Sequence, residues 1–229
     1  MKTLVKLIKR FRTTTLLVLL PFMLSSCFEV SEEYYFENDG SGTATFTIDL
    51  SQSMAMLNLM KSMDTTGSTN QVDSLFENQD ALESLSQIDG IYNIKNLSDT
   101  SAGIISYSYS FKNIEALNKS LAAKGSNSAL GFGGSQEGSV NRFVKNGKTI
   151  TRTLYVPKSQ DDPTEEEAMS EAFFDDATWK VTYHFSNKVK KASGANTTLD
   201  KDKKTVVSAT KFLDFSKGRS NLNCTIKLK

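Results

Sequence analysis

Catalysis requires nucleophiles, bases, acids or metal ligands held within reach of one another, and of the two most versatile residue types for that work this chain of 229 residues holds one histidine and two cysteines. His184 falls in the run Trp179–Phe185, where Trp179, Val181, Tyr183 and Phe185 share one strand face. It therefore lies on the opposite face with Lys180 and Thr182. A general base needs an orienting acid and a nucleophile nearby. No GxSxG run or metal-ligand spacing accompanies His184, which reads as a solvated strand residue. Adjacent acids are abundant, at Asp161-Asp162, Glu165-Glu166-Glu167 and Asp175-Asp176. Carboxylate pairs are the machinery of glycoside hydrolysis, so Asp162, Glu165 and Glu166 carry an alternative reading as an enzyme acting on glycans. Runs of adjacent acids on a short helix more commonly form a solvated face. The turn Asn38–Gly42 lacks the acid spacing and terminal Glu of a calcium loop, and Gly131–Gly134 lacks the Gly-Lys-Ser/Thr ending of a phosphate loop. Neither a metal nor a cofactor is expected, and no nucleic acid among the partners.

Two features remain with chemical content. Met54, Met56, Met60 and Met63 form a stripe at helical spacing. They pack a core, or Met56, Met60 and Met63 face a ligand as an adaptable wall, because thioethers repack readily around a lipid chain or partner helix. The lipid-carrier alternative rests on that second reading. The other feature is the pair of thiols. Cys224 sits in Leu222–Leu228, where Leu222, Cys224, Ile226 and Leu228 alternate with polar residues, so it reads as a small buried hydrophobe.

Cys27 closes a different pattern. Residues 1–26 carry five bases and no acid, and a short apolar run, Leu16–Leu24 interrupted by Pro21, precedes Ser25-Ser26-Cys27. Nine residues of helix span roughly 13 Å, well short of the about 30 Å of bilayer hydrocarbon, so the run reads as a secretory signal. Leu24-Ser25-Ser26-Cys27 resembles the bacterial lipobox. That resemblance implies cleavage before Cys27 and three acyl chains on its sulfur and amine, an attachment that two or more chains make durable. The expected organisation is a signal peptide over 1–26 and an envelope domain over 27–229. Phe28 stands where Asp would signal inner-membrane retention, which favours lipid anchoring at the outer membrane. With Cys27 a thioether, Cys224 has no disulfide partner in the chain.

Hydrophobic patterning over the mature chain predicts the elements that position these residues. Hairpins are expected at Phe28–Glu37 with Gly42–Leu50, at Ile91–Leu97 with Gly103–Phe111, and around Asn146-Gly147. Helices are expected from Ser51 to about Met63, from Asp73 to about Ile88, from Asn113 to about Ala123, and over Glu165–Phe174. The Gly/Ser/Asn-rich stretch 124–139 is a flexible break. Strands follow at Thr178–Phe185, around Lys188–Ser193, at Lys204–Phe215 and at Leu222–Leu228. The fold class is α+β, a mainly antiparallel sheet with about four helices packed on it.

Charge divides the mature chain. Residues 188–229 hold eleven bases and three acids, whereas 27–187 hold eleven bases and 23 acids. Basic strands either pair beside the acidic half, with lysines guarding strand edges, or present a face to an anionic lipid or glycan. The lipobox, the turn Asp39-Gly40-Ser41-Gly42, a strand ending Ile48-Asp49-Leu50 before a helix, and Trp179–Phe185 followed by Asn187-Lys188-Val189, Ser193–Asn196 and Lys204–Val207 together resemble bacterial lipoproteins of the LppM type. Ser186 stands where that pattern has a Pro. The resemblance implies an α+β envelope domain displayed from a lipid anchor, with a binding or structural role, and it carries over no functional residue. The resulting expectation is a membrane-anchored, non-catalytic ectodomain that binds an envelope lipid, glycolipid or unknown protein.

Overall fold

The computed structural model describes residues 28–63, 79–123, 140–155 and 175–229. Among the described residues, eleven strands form two sheets. β1 (Glu29–Phe36) and β2 (Gly42–Asp49) make an antiparallel hairpin in full register from Glu29↔Asp49 to Phe36↔Gly42. Its turn is closed by Asp39, whose carboxylate accepts from the Ser41 amide and hydroxyl at 2.9 and 2.7 Å. Gly40 supplies the positive φ of +95°. Gly42 is required for space instead, since a Cβ there would collide with the Tyr35 carbonyl and the Phe111 ring.

A 3-10 turn, Ser51–Ser53, leads into α1 (Met54–Met63), and after residues outside the described set come α2 (Gln79–Ser86), β3 (Ile91–Asn96) and β4 (Ile104–Phe111). α3 (Ile114–Ala122) starts at Asn113, whose side chain accepts from the Ala116 amide as an N-cap. β5 (Val140–Asn146) and β6 (Thr149–Tyr155) pair through the expected turn at Gly147, where φ is +56°. β7 (Thr178–Phe185), β8 (Val189–Ser193), β9 (Thr197–Leu199), β10 (Thr205–Lys211), α4 (Phe212–Ser216) and β11 (Cys224–Leu228) complete the described chain.

The larger sheet runs β3-β4-β2-β1-β7-β10-β9, which puts β1 in its middle. All its pairs are antiparallel except β1 with β7. That pair is parallel because a long crossover, carrying the β5–β6 hairpin, separates the two strands. The smaller sheet runs β5-β6-β11-β8 and is antiparallel. Inward residues of both sheets share one buried cluster, with Tyr34, Phe36, Tyr109, Phe111, Val181 and Tyr183 meeting Phe143, Ile150, Leu154, Cys224 and Ile226. Phe143 contacts Tyr34, Phe36 and Tyr183 edge-on at 5.0–6.2 Å between ring centres.

Several expectations are corrected. The described strands form two sheets rather than one, and the described helices are three of eight to ten residues plus the five-residue α4. The strand expected over Lys204–Phe215 ends at Lys211, where α4 takes over. Phe212 and Phe215, at i and i+3, then lie on one helix face and pack on Trp179, with ring centres 6.1 and 4.6 Å away. The short strand β9, where no element was expected, edges the larger sheet beside β10. The helix expected over Glu165–Phe174, the break at 124–139 and the first part of the helix from Asp73 lie outside the described residues.

Candidate functional site

Between the two sheets lies a charged group of side chains that strand alternation alone would assign to aliphatics. Glu32 points inward from β1 and Arg152 from β6, each 1 % exposed. The Arg152 Nη2 sits 2.8 Å from Glu32 Oε2. Glu32 Oε1 accepts from Trp179 Nε1 at 2.8 Å, and the Tyr34 hydroxyl also donates to the Glu32 carboxylate. Arg152 donates further to Asn141 Oδ1 at 3.1–3.3 Å and approaches the Tyr183 hydroxyl at 3.4 Å. Its guanidinium carbon lies 5.2 Å from the Tyr34 ring centre and 5.3 Å from that of Phe143, distances at which a cation gains from the ring face.

Burial pushes the Tyr34 and Tyr183 hydroxyls well above the usual tyrosine range, against the pull of the Arg152 charge. Burial is the largest single influence on Arg152 and works against its charge, but Glu32, Tyr34 and Tyr183 together outweigh it and favour the protonated guanidinium. Cys224 lies in the same neighbourhood, its thiol raised by burial, with Tyr183 and Arg152 pulling the other way. Charge and hydrogen bonds here satisfy one another, and they link β1 of the larger sheet to β6 of the smaller one. The second contact between layers is Asn118 of α3. Its amide donates to the Phe143 carbonyl at 2.8 Å and its oxygen accepts from the Phe143 amide at 2.7 Å, so a side chain pairs with the outer strand of the smaller sheet.

The outward faces are different. On the larger sheet, Ser110, Thr43, Tyr35, His184 and Thr205 run across β4, β2, β1, β7 and β10, and Ser108, Thr45, Glu33, Thr182 and Val207 form the next row. Tyr35 stacks on His184 with ring centres 4.2 Å apart and planes 12° from parallel. His184 Nδ1 is 3.5 Å from the Thr205 hydroxyl, which itself donates to Asp202 at 2.7 Å. A nucleophilic hydroxyl would give its proton to the imidazole. Here it is given to the carboxylate instead, and the His184 contact stands at the outer limit of a hydrogen bond. The outward face of the smaller sheet has another character. Strands β5, β6, β8 and β11 contain no acidic residue, while Arg142, Lys190, Lys191 and Lys227 are exposed.

Of the residues singled out in sequence, His184 lies on the outward face opposite Trp179, Val181, Tyr183 and Phe185, as the alternation requires, and Cys224 is buried and free. Asp175 and Asp176 are exposed. Cys27, Asp161, Asp162 and Glu165–Glu167 lie outside the described residues. Met56, Met60 and Met63 belong to α1, but their side chains are outside the described ones. Met54, described, packs beneath Gly103, whose missing Cβ leaves the room. Among the described residues no cluster of three or more His, Cys, Asp or Glu could hold a metal ion, and no helix is long and apolar enough to cross a membrane. The Glu32–Arg152 pair was missed by sequence reasoning. Its signal was present: an acid in an inward slot between Val30 and Tyr34, and a base in an inward slot between Ile150 and Leu154.

No protein-family model matches the chain, and no curated protein does. Among solved structures, the chain is similar to the folded domain of the LppM protein of Mycobacterium tuberculosis, at 15 % identity and a TM-score of 0.41, over 88 % of this chain and 89 % of that one.

Proposed function

We propose that the protein is a lipid-anchored component of the bacterial cell envelope whose ectodomain binds an envelope constituent without catalysing a reaction. The observation that carries this reading is the sequence Leu24-Ser25-Ser26-Cys27, placed directly after a basic and apolar leader and directly before the first residue of the fold. Attachment through Cys27 holds the domain at a membrane, the outer one on the identity of Phe28.

The non-catalytic part of the reading is supported by how the polar groups are used. The buried carboxylate and guanidinium neutralise each other, the buried thiol is pushed toward its protonated form, and the histidine is stacked against a tyrosine beside a hydroxyl committed elsewhere. For the constituent bound, the acid-free outward face of the smaller sheet favours an anionic lipid or glycan, which exposed lysines and arginine attract over a Debye length.

Cell fractionation of the intact protein beside Cys27→Ser tests the anchor. The parent is expected in the membrane fraction and in the detergent-rich phase, and the variant in the aqueous phase. Equal partitioning of the two would overturn the reading.

A further inference from the structure

The fold gives the anchor almost no slack. Phe28 is 1 % exposed, its ring meets Phe212 edge-on at 5.8 Å, and its carbonyl accepts from the Thr178 amide at 3.0 Å. Consecutive Cα atoms are about 3.8 Å apart, so Cys27 leaves the domain one residue beyond a buried side chain. β1 then begins in the middle of the larger sheet. Most tethered domains tumble on a linker; here a lipid on Cys27 would draw one particular end of the sheet onto the bilayer.

That end is defined by strand register. The row Ile104, Asp49, Glu29, Thr178 and Lys211 lies there, and α1 springs from it directly after β2. α1 has no acidic residue, and Lys61 is its single charge. Its exposed positions Ala55, Asn58, Leu59 and Ser62 fall at i, i+3, i+4 and i+7, one uncharged face, with Leu59 59 % exposed. Leu97, 49 % exposed, follows β3 near the same end, where its amide donates to Ser106. The charges around this end are mixed: Glu29 pairs with Lys180 and Asp214 with Arg219, Lys211 reaches the Asp175 carbonyl, and Asp49 and Asp99 accept from the Ser51 and Ser101 amides. No basic surplus is left here to draw the domain to anionic headgroups, so apolar contact decides.

We infer that this end of the sheet rests on the bilayer, with the uncharged face of α1 and its Leu59 lying in the interface as a second contact beside the acyl chains. The inference rests on the Cys27 anchor proposed above. It gives the domain a fixed orientation: Tyr35 lies about 20 Å along β1 from Glu29 at the usual rise per residue, so the Tyr35–His184 side stands clear of the headgroups.

The test places a thiol-linked fluorophore at Leu59→Cys, Leu97→Cys or Tyr35→Cys in the full lipidated protein, reconstituted into phosphatidylethanolamine/phosphatidylglycerol vesicles. Cys224, being buried, takes no label in the folded protein. Flotation of the vesicles reads the anchor, and quenching by aqueous iodide reads the orientation. The expected result is flotation of all three, with quenching of the Leu59 and Leu97 labels at least three-fold weaker than that of the Tyr35 label, unchanged by 0.5 M salt (conditions set at roughly the screening regime of exposed charges). Flotation with all three labels equally quenched overturns the orientation and leaves the anchor standing. Failure of the protein to float overturns both. Leu97→Cys keeps the test decisive should the Leu59 variant not fold.

Discussion

β1 presents the same two side chains twice, one residue out of phase. On its inward face the Tyr34 hydroxyl donates to Glu32, and on its outward face the Tyr35 hydroxyl donates to Glu33 at 3.4 Å. Both are tyrosine–glutamate pairs two residues apart, yet their surroundings part them. Glu32 is buried and is met by Arg152 and Trp179, whereas Glu33 is only half-buried and Tyr35 stacks on a half-buried histidine. The inward pair is consumed in holding two sheets together. The outward pair is left available to a partner. One strand therefore separates architecture from display, and a lipid on Cys27 would attach directly to it.

The largest effect that can break this contrast is alkaline unfolding. Burial raises the hydroxyls of Tyr34, Tyr107, Tyr109 and Tyr183 above the ordinary tyrosine value. A group whose folded value is raised contributes stability that is complete below its unfolded value, about 10, and that is lost as pH rises above it. The protein is expected to hold its circular dichroism to about pH 10 and then unfold cooperatively, with four of its seven tyrosines ionising only in that transition. Smooth titration of all the tyrosinates in protein that stays folded would contradict the buried arrangement.

Next in size is removal of one partner of the buried pair. Arg152→Met strands the Glu32 carboxylate and is expected to cost about 3–5 kcal/mol in urea unfolding. The double variant Glu32→Gln/Arg152→Met, which removes both charges but keeps an acceptor for Trp179 Nε1, should recover most of that loss. A double variant as unstable as the single one would show that packing, not charge, sets the cost. Glu33→Gln on the outward face, by contrast, is expected to shift stability by less than about 0.5 kcal/mol.

Asn118→Ala sharpens the comparison at a smaller scale. It leaves the amide and carbonyl of Phe143 without their side-chain partner, at an expected cost of about 1–3 kcal/mol. It also uncovers the outer strand of the smaller sheet, so the variant should form oligomers on concentration, read by light scattering. A variant as stable and as monomeric as its parent would mean that Asn118 protects nothing.

Much of the fold was legible in the chain because burial writes itself into strand alternation. Ile105, Tyr107, Tyr109 and Phe111 read as one face and are buried together, and Asn146-Gly147 marked its hairpin. Cys224 and His184 were assigned to the correct faces by the same parity. What escaped was non-local. Nothing near Lys211 announces that the chain coils into α4 there, because that turn is set by the packing of Phe212 and Phe215 on Trp179, a distant residue in sequence. That the strands divide into two sheets likewise depends on partners far apart in the chain. Glu32 and Arg152 were visible only as exceptions, an acid and a base in slots that alternation reserves for apolar residues. Their pairing spans 120 positions, and single-strand periodicity carries no information on such a contact.

Lipid attachment of the fold at Cys27, as proposed, is read from the intact mass of the protein extracted from bacterial membranes. The expected species begins at Cys27, is heavier than its amino acids by a diacylglycerol and an amide-linked acyl chain, and is lost in Cys27→Ser. A chain that still carries residues 1–26, or one that begins at Cys27 with the mass of its amino acids alone, would contradict it.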